Sequence, residues 1–98
     1  MLFAVIYTAR DVSEASQKRS LHLFTNWQPP AGYEFKAHYA LCDGSGGVAI
    51  AEAASTAALL EAHTPWMPFF EFQTIPVIEV EQAVPIFMKA YAWRDSVK

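Results

Sequence analysis

The sequence predicts an α+β sandwich in the order β-α-β-β-α-β, extended by a C-terminal helix. Three observations carry that prediction. The chain opens on an apolar run from Leu2 to Thr8, and a strictly alternating run over Tyr33–Cys42 is followed by a glycine-rich turn. The apolar period then changes to a helical one after Asp11, after Ser55 and from Glu81. This order packs two helices on one face of a four-stranded sheet and leaves the other face to be buried elsewhere, which argues for a dimer.

Each element has its own signals. Leu2 to Tyr7 is apolar on both alternations, as expected of a strand that meets dry surface on two sides. In the first helix Ala15, Leu23, Phe24 and Trp27 share a stripe, Glu14, Lys18 and Arg19 supply polar cover, and Asp11 or Ser13 caps the start. Pro29-Pro30-Gly32 ends it. In the second strand Tyr33, Phe35, Ala37, Tyr39 and Leu41 are placed on one face, opposite Glu34, Lys36, His38, Ala40 and Cys42. Asp43 to Gly47 turns the chain back into Val48–Glu52. Pairing Cys42 with Gly47 sets Tyr39 opposite Ile50 and Ala37 opposite Glu52, a register that one slip would change. Ser55 caps a second helix over Thr56 to His63, which Pro65 stops. Phe69–Val80 reads as a strand whose Pro76 sets it at an edge or a bulge. Glu81–Arg94 reads as the last helix, with Pro85 in its first turn.

Composition bounds the rest. Residues 1–98 make a single domain with 53% apolar and 17% charged residues, against a usual charged share of about 25%. So few charges favour burial against a second copy, a homodimer. The net charge of −3 offers no cationic footprint for nucleic acid. No apolar run reaches the roughly 20 residues that cross a bilayer, and no leader pattern opens the chain, so a cytoplasmic location is expected. Cys42 is the only cysteine, which leaves neither an intrachain disulfide nor a thiolate cluster. No cofactor motif is present: the Gly44–Gly47 run lacks the lysine and following helix of a phosphate loop.

The opening Met1-Leu2-Phe3-Ala4-Val5-Ile6 resembles the start of the DUF3303 family of small proteins. Trp66 followed by Phe70-Glu71-Phe72-Gln73-Thr74-Ile75-Pro76-Val77 does so too. The resemblance covers residues 1–80 and implies a ferredoxin-like unit within the dimeric α/β barrel superfamily, with two sheets facing each other across a dimer. Other branches of that superfamily include cofactor-free monooxygenases, haem-degrading enzymes and stress-responsive proteins. The family supplies no catalytic residue to carry over, and a fold of such breadth does not assign a function.

Candidate site residues follow from chemistry. His22, His38 and His63 titrate near neutrality, but none forms a metal-binding pair by spacing. His38 reads either as a pocket residue or as an edge-strand residue beside Lys36. His63 reads as packed near Trp66, where the helix dipole favours its protonated form. His22 is a boundary residue of the first helix. Glu52 shares a face with Val48 and Ile50, so it is either a carboxylate pushed toward an apolar layer, able to act as a base, or a strand-end residue that reaches solvent. Tyr39, Trp66 and five more aromatic residues (Trp27, Phe70, Phe72, Tyr91, Trp93) exceed what a small core needs. They serve either packing or a cavity for a small apolar or aromatic ligand, with His22, His38, Tyr39, Glu52, His63 and Trp66 as candidate contacts. The competing readings are a cofactor-free monooxygenase acting on an aromatic substrate and a purely structural or protein-binding module.

Overall fold

A computed structural model describes all residues 1–98. The elements run β1 (Leu2–Ala9), α1 (Glu14–Thr25), β2 (Tyr33–Ala40), β3 (Gly46–Ala53), α2 (Thr56–His63), a 3-10 turn (Thr64–Trp66), β4 (Phe70–Pro76) and α3 (Val80–Ser96). The strands form one antiparallel sheet in the order β2-β3-β1-β4. Helix starts follow capping chemistry. The Ser13 hydroxyl accepts from the Ser16 N–H at 3.3 Å, and Ser55 does the same for Ala58 at 3.1 Å. Pro65 opens the 3-10 turn instead of extending α2, and β4 ends on Pro76 at a sheet edge, where a missing donor is harmless.

One face of the sheet carries the core. Phe3 and Val5 on β1 and Ala49, Ala51 and Ala53 on β3 are buried, with Tyr33 beside them. The small β3 side chains keep the middle of that face low, while large rings rise from β2 and β4. The other face carries Leu2, Ala4, Ile6, Val48 and Ile50, all half-buried, and the exposed Ile75 and Tyr39. Arg10 ties the end of β1 to the turn before β4, donating to the Met67 carbonyl at 2.9 Å and pairing with Glu71 at 3.3 Å.

The expected dimeric α/β barrel is not what forms. The sheet is open, with β2 and β4 as unpaired edges, and does not close on itself into a barrel. The apolar excess that argued for a dimer face has another destination. Much of it lines the space between the sheet and the helices, and much of the remainder lies on α3. No residue of α3 is buried, and Ile86, Phe87, Met88, Tyr91 and Trp93 are exposed. The chain measures 60 × 30 × 19 Å with a radius of gyration of 17.6 Å, against about 13 Å for a compact chain of this length. A 17-residue helix standing off the sandwich accounts for the difference. Pro85 is its sixth residue, beyond the first turn, so the Glu81 carbonyl loses its usual helical donor.

The second strand corrects the expected register and faces. A β-bulge between Phe35 and Ala37 places Ala37 opposite Ile50 and Tyr39 opposite Val48. The extra residue reverses the alternation partway along β2. Tyr33 and Phe35 therefore share the core face with His38, while Ala37 and Tyr39 turn to the open face.

Candidate functional site

Between the core face and the two helices lies a cavity of about 240 Å³, lined almost wholly by hydrophobic side chains. Its floor is the Val5–Ala49 pair, which are register partners in the centre of the sheet. Around that floor runs a closed circuit of six rings. His38 stacks on Phe35 (centroids 4.6 Å, 6° between planes), Phe35 meets Tyr33 at 5.5 Å, and Tyr33 meets His63 at 6.1 Å. His63 stacks on Phe72 (4.5 Å, 7°), Phe72 meets Tyr7 at 6.1 Å, and Tyr7 returns to His38 at 5.7 Å. Three further rings close the helix side. Trp27 meets Trp66 edge-on at 5.4 Å, and Phe24 sits 5.9 Å from Trp66 and 6.0 Å from His38.

The sequence builds this box in identifiable steps. The β2 bulge delivers His38 to the circuit. Pro65 breaks the chain after α2 so that Trp66 turns back over the sheet, where it is buried. Alanines at 49, in the floor, and 62, in the wall, line the cavity without filling it. Helix α1 covers the cavity loosely, since Leu21 and Phe24 line it yet stay 64% and 43% exposed.

Polar groups are few. The Tyr7 hydroxyl lies 2.6 Å from Nε2 of His38. Loss of hydration raises the Tyr7 phenol above its ordinary range and lowers His38, so both are neutral at pH 7. A phenol is a stronger donor than an imidazole N–H, and an imidazole nitrogen is the stronger acceptor. The chemistry therefore assigns Tyr7 as the donor to Nε2, with the His38 proton on Nδ1. His63 is 8% exposed, with its Nε2 buried and without a hydrogen-bond partner. Its pKa also moves down, through desolvation. The protonated form expected from the helix dipole is thus overridden by burial against Phe72.

Of the six candidate residues, the structure brings His38, His63 and Trp66 together in the cavity wall. Tyr39 is 66% exposed on the open face. Glu52 lies at the end of β3 on that same face, paired with the Met1 amino group. His22 is exposed on α1 outside the cavity. Of the three residues that a monooxygenase-like enzyme could use as a base, Glu52 is removed, because its carboxylate lies across the sheet, whereas His38 and His63 both line the cavity. No three His, Cys, Asp or Glu side chains are grouped to share a metal ion. Tyr7 was not among the candidates, although Gly47 gives the signal for it. Gly47 faces Tyr7 in the β1–β3 register, and a Cβ there would overlap the Tyr7 ring and hydroxyl.

Fold and cavity together define an open-sheet, ferredoxin-like α+β sandwich with an aromatic box between its layers. The chain belongs to the DUF3303 family, described as a domain of unknown function, which matches residues 1–91 and so reaches into α3. No curated protein and no solved structure matches the chain. No helix is long and apolar enough to cross a membrane.

Proposed function

We propose that this chain binds a small planar aromatic molecule in the cavity over Val5 and Ala49. The observation that carries the reading is the closed circuit of six rings around a floor of small side chains. Rings set edge-on and stacked around a gap present both faces and edges to a seventh ring, the geometries that aromatic pairs prefer. An engineered apolar cavity of about 150 Å³ already takes up benzene. The 240 Å³ here admits a substituted ring or a compact bicycle. Water in such a space finds few hydrogen-bond partners, so its displacement favours an apolar guest.

Calorimetric titration with para-xylene tests this, using the native chain and Ala49→Leu. Saturable binding that the added leucine abolishes supports the reading; no binding up to the solubility of the probe refutes it.

A second reading is favoured by α3, which has no buried residue and exposes Ile86, Phe87, Met88, Tyr91 and Trp93. We propose that this helix docks on protein. Light scattering on the full chain and on residues 1–79 tests the proposal: a mass that drops on truncation supports it, and an equal single-chain mass for both counts against self-association.

A further inference from the structure

We propose that the Tyr7–His38 pair selects, among aromatic guests, those bearing a hydrogen-bond donor (a phenolic hydroxyl or a ring N–H), with Tyr7 Oη as the acceptor. The inference rests on reading the cavity as a ligand site, and adds the chemical class of the ligand. A tyrosine hydroxyl has one proton and two lone pairs. Its proton is committed to His38 Nε2 at 2.6 Å, and no other group of the protein hydrogen-bonds to that oxygen. The rings of Phe70, at 5.0 Å, and Phe72, at 6.1 Å, flank Tyr7 and offer it no donor. Donation to the imidazole also enriches the oxygen in electron density, which strengthens it as an acceptor. A guest carrying only an acceptor meets those lone pairs unfavourably; a guest carrying a donor completes them.

Position supports the assignment. Tyr7, Ser20, Leu21 and Phe70 line both the aromatic cavity and a neighbouring cleft that includes Asp11, Ser16 and Gln17. Tyr7 thus stands where the dry space meets the polar one. A guest with its ring over Val5 and its donor at Tyr7 keeps apolar atoms inside and its polar end toward the cleft.

Three guests of matched shape separate the alternatives. Para-cresol carries a donor and an acceptor, para-methylanisole an acceptor alone, and para-xylene neither. Their association constants are read by NMR titration of the Val5 and Ala49 methyl signals, and each is taken as a ratio to para-xylene within one variant, so that differences in hydrophobic transfer cancel. On going to Tyr7→Phe the para-cresol ratio is expected to fall about fivefold to tenfold, while the para-methylanisole ratio does not fall, and rises as the repulsion from the Tyr7 lone pairs is removed. In His38→Leu the Tyr7 proton is released, and the para-methylanisole ratio is expected to rise. An unchanged para-cresol ratio in Tyr7→Phe, or a fall of both ratios together, overturns the donor selection and leaves the cavity reading standing. Failure of all three guests to bind the native chain removes the cavity reading as well.

Discussion

The Tyr7 side chain crosses β3 directly above Gly47, its register partner, to place its hydroxyl on His38. Any side chain at 47 would stand in its path, because a Cβ there overlaps the Tyr7 ring and hydroxyl. Gly47→Ala therefore expels the Tyr7 ring and breaks the bond to His38. Overpacking of this kind costs about 1–3 kcal/mol, measured by urea unfolding. In a Tyr7→Ala background the same substitution should cost much less, and the coupling in a double-mutant cycle reads the overlap itself. Equal costs in both backgrounds would show that the glycine is needed for another reason.

His63 is a buried imidazole with one nitrogen unpartnered, held flat against Phe72. His63→Phe keeps the stacking and removes the unpaired polar atom, so it should stabilise the empty protein by about 1–2 kcal/mol. A higher urea midpoint at unchanged slope is the expected result; a loss of stability would mean that Nε2 does have a partner.

Desolvation lowers the pKa of both His38 and His63 in the folded chain. Below about pH 6.5 the unfolded chain takes up protons that the folded chain resists. Stability should accordingly be level above neutrality and decline as the pH falls from about 6.5 toward the lowered folded values. Urea midpoints between pH 8 and pH 5 test this window, and His63→Phe should flatten the slope. A midpoint that rises on acidification across that range would contradict the desolvated, neutral state of both rings.

Because no residue of α3 is buried, removing residues 80–98 should leave the unfolding free energy of the sandwich within about 0.5 kcal/mol. Circular dichroism should show lost helix content with the remaining transition intact. Collapse of that transition would show that the helix supports the sheet.

Much of this architecture was legible in the chain. Alternation and capping residues located all four strands and three helices, because Ser13, Ser55, Pro65 and Pro76 act through local chemistry that does not depend on tertiary context. The faces of β2 were not legible. A bulge at Lys36 leaves no mark in an alternating run, and it exchanged the fates of His38 and Tyr39. The closed barrel was implied by the family resemblance, and composition could not correct it, since it reports how much apolar surface exists and not which surface meets which. Trp66 and His63 stood out through chemistry, one as an aromatic excess and one as a titratable ring, and both lie in the cavity wall. Tyr7 gave no such signal because its placement depends on a glycine some forty positions away in the sequence, across the β1–β3 register.

An aromatic guest in the space over Val5 and Ala49 lies beside methyl groups that can be assigned individually. Nuclear Overhauser contacts between bound para-cresol and assigned methyl groups test that placement most directly. Contacts to the methyls of Val5, Ala49 and Ala62, within the ring circuit, are expected. Contacts confined to Ile6, Val48 and Ile50 on the open face, or to Ile86 and Met88 on α3, would contradict it.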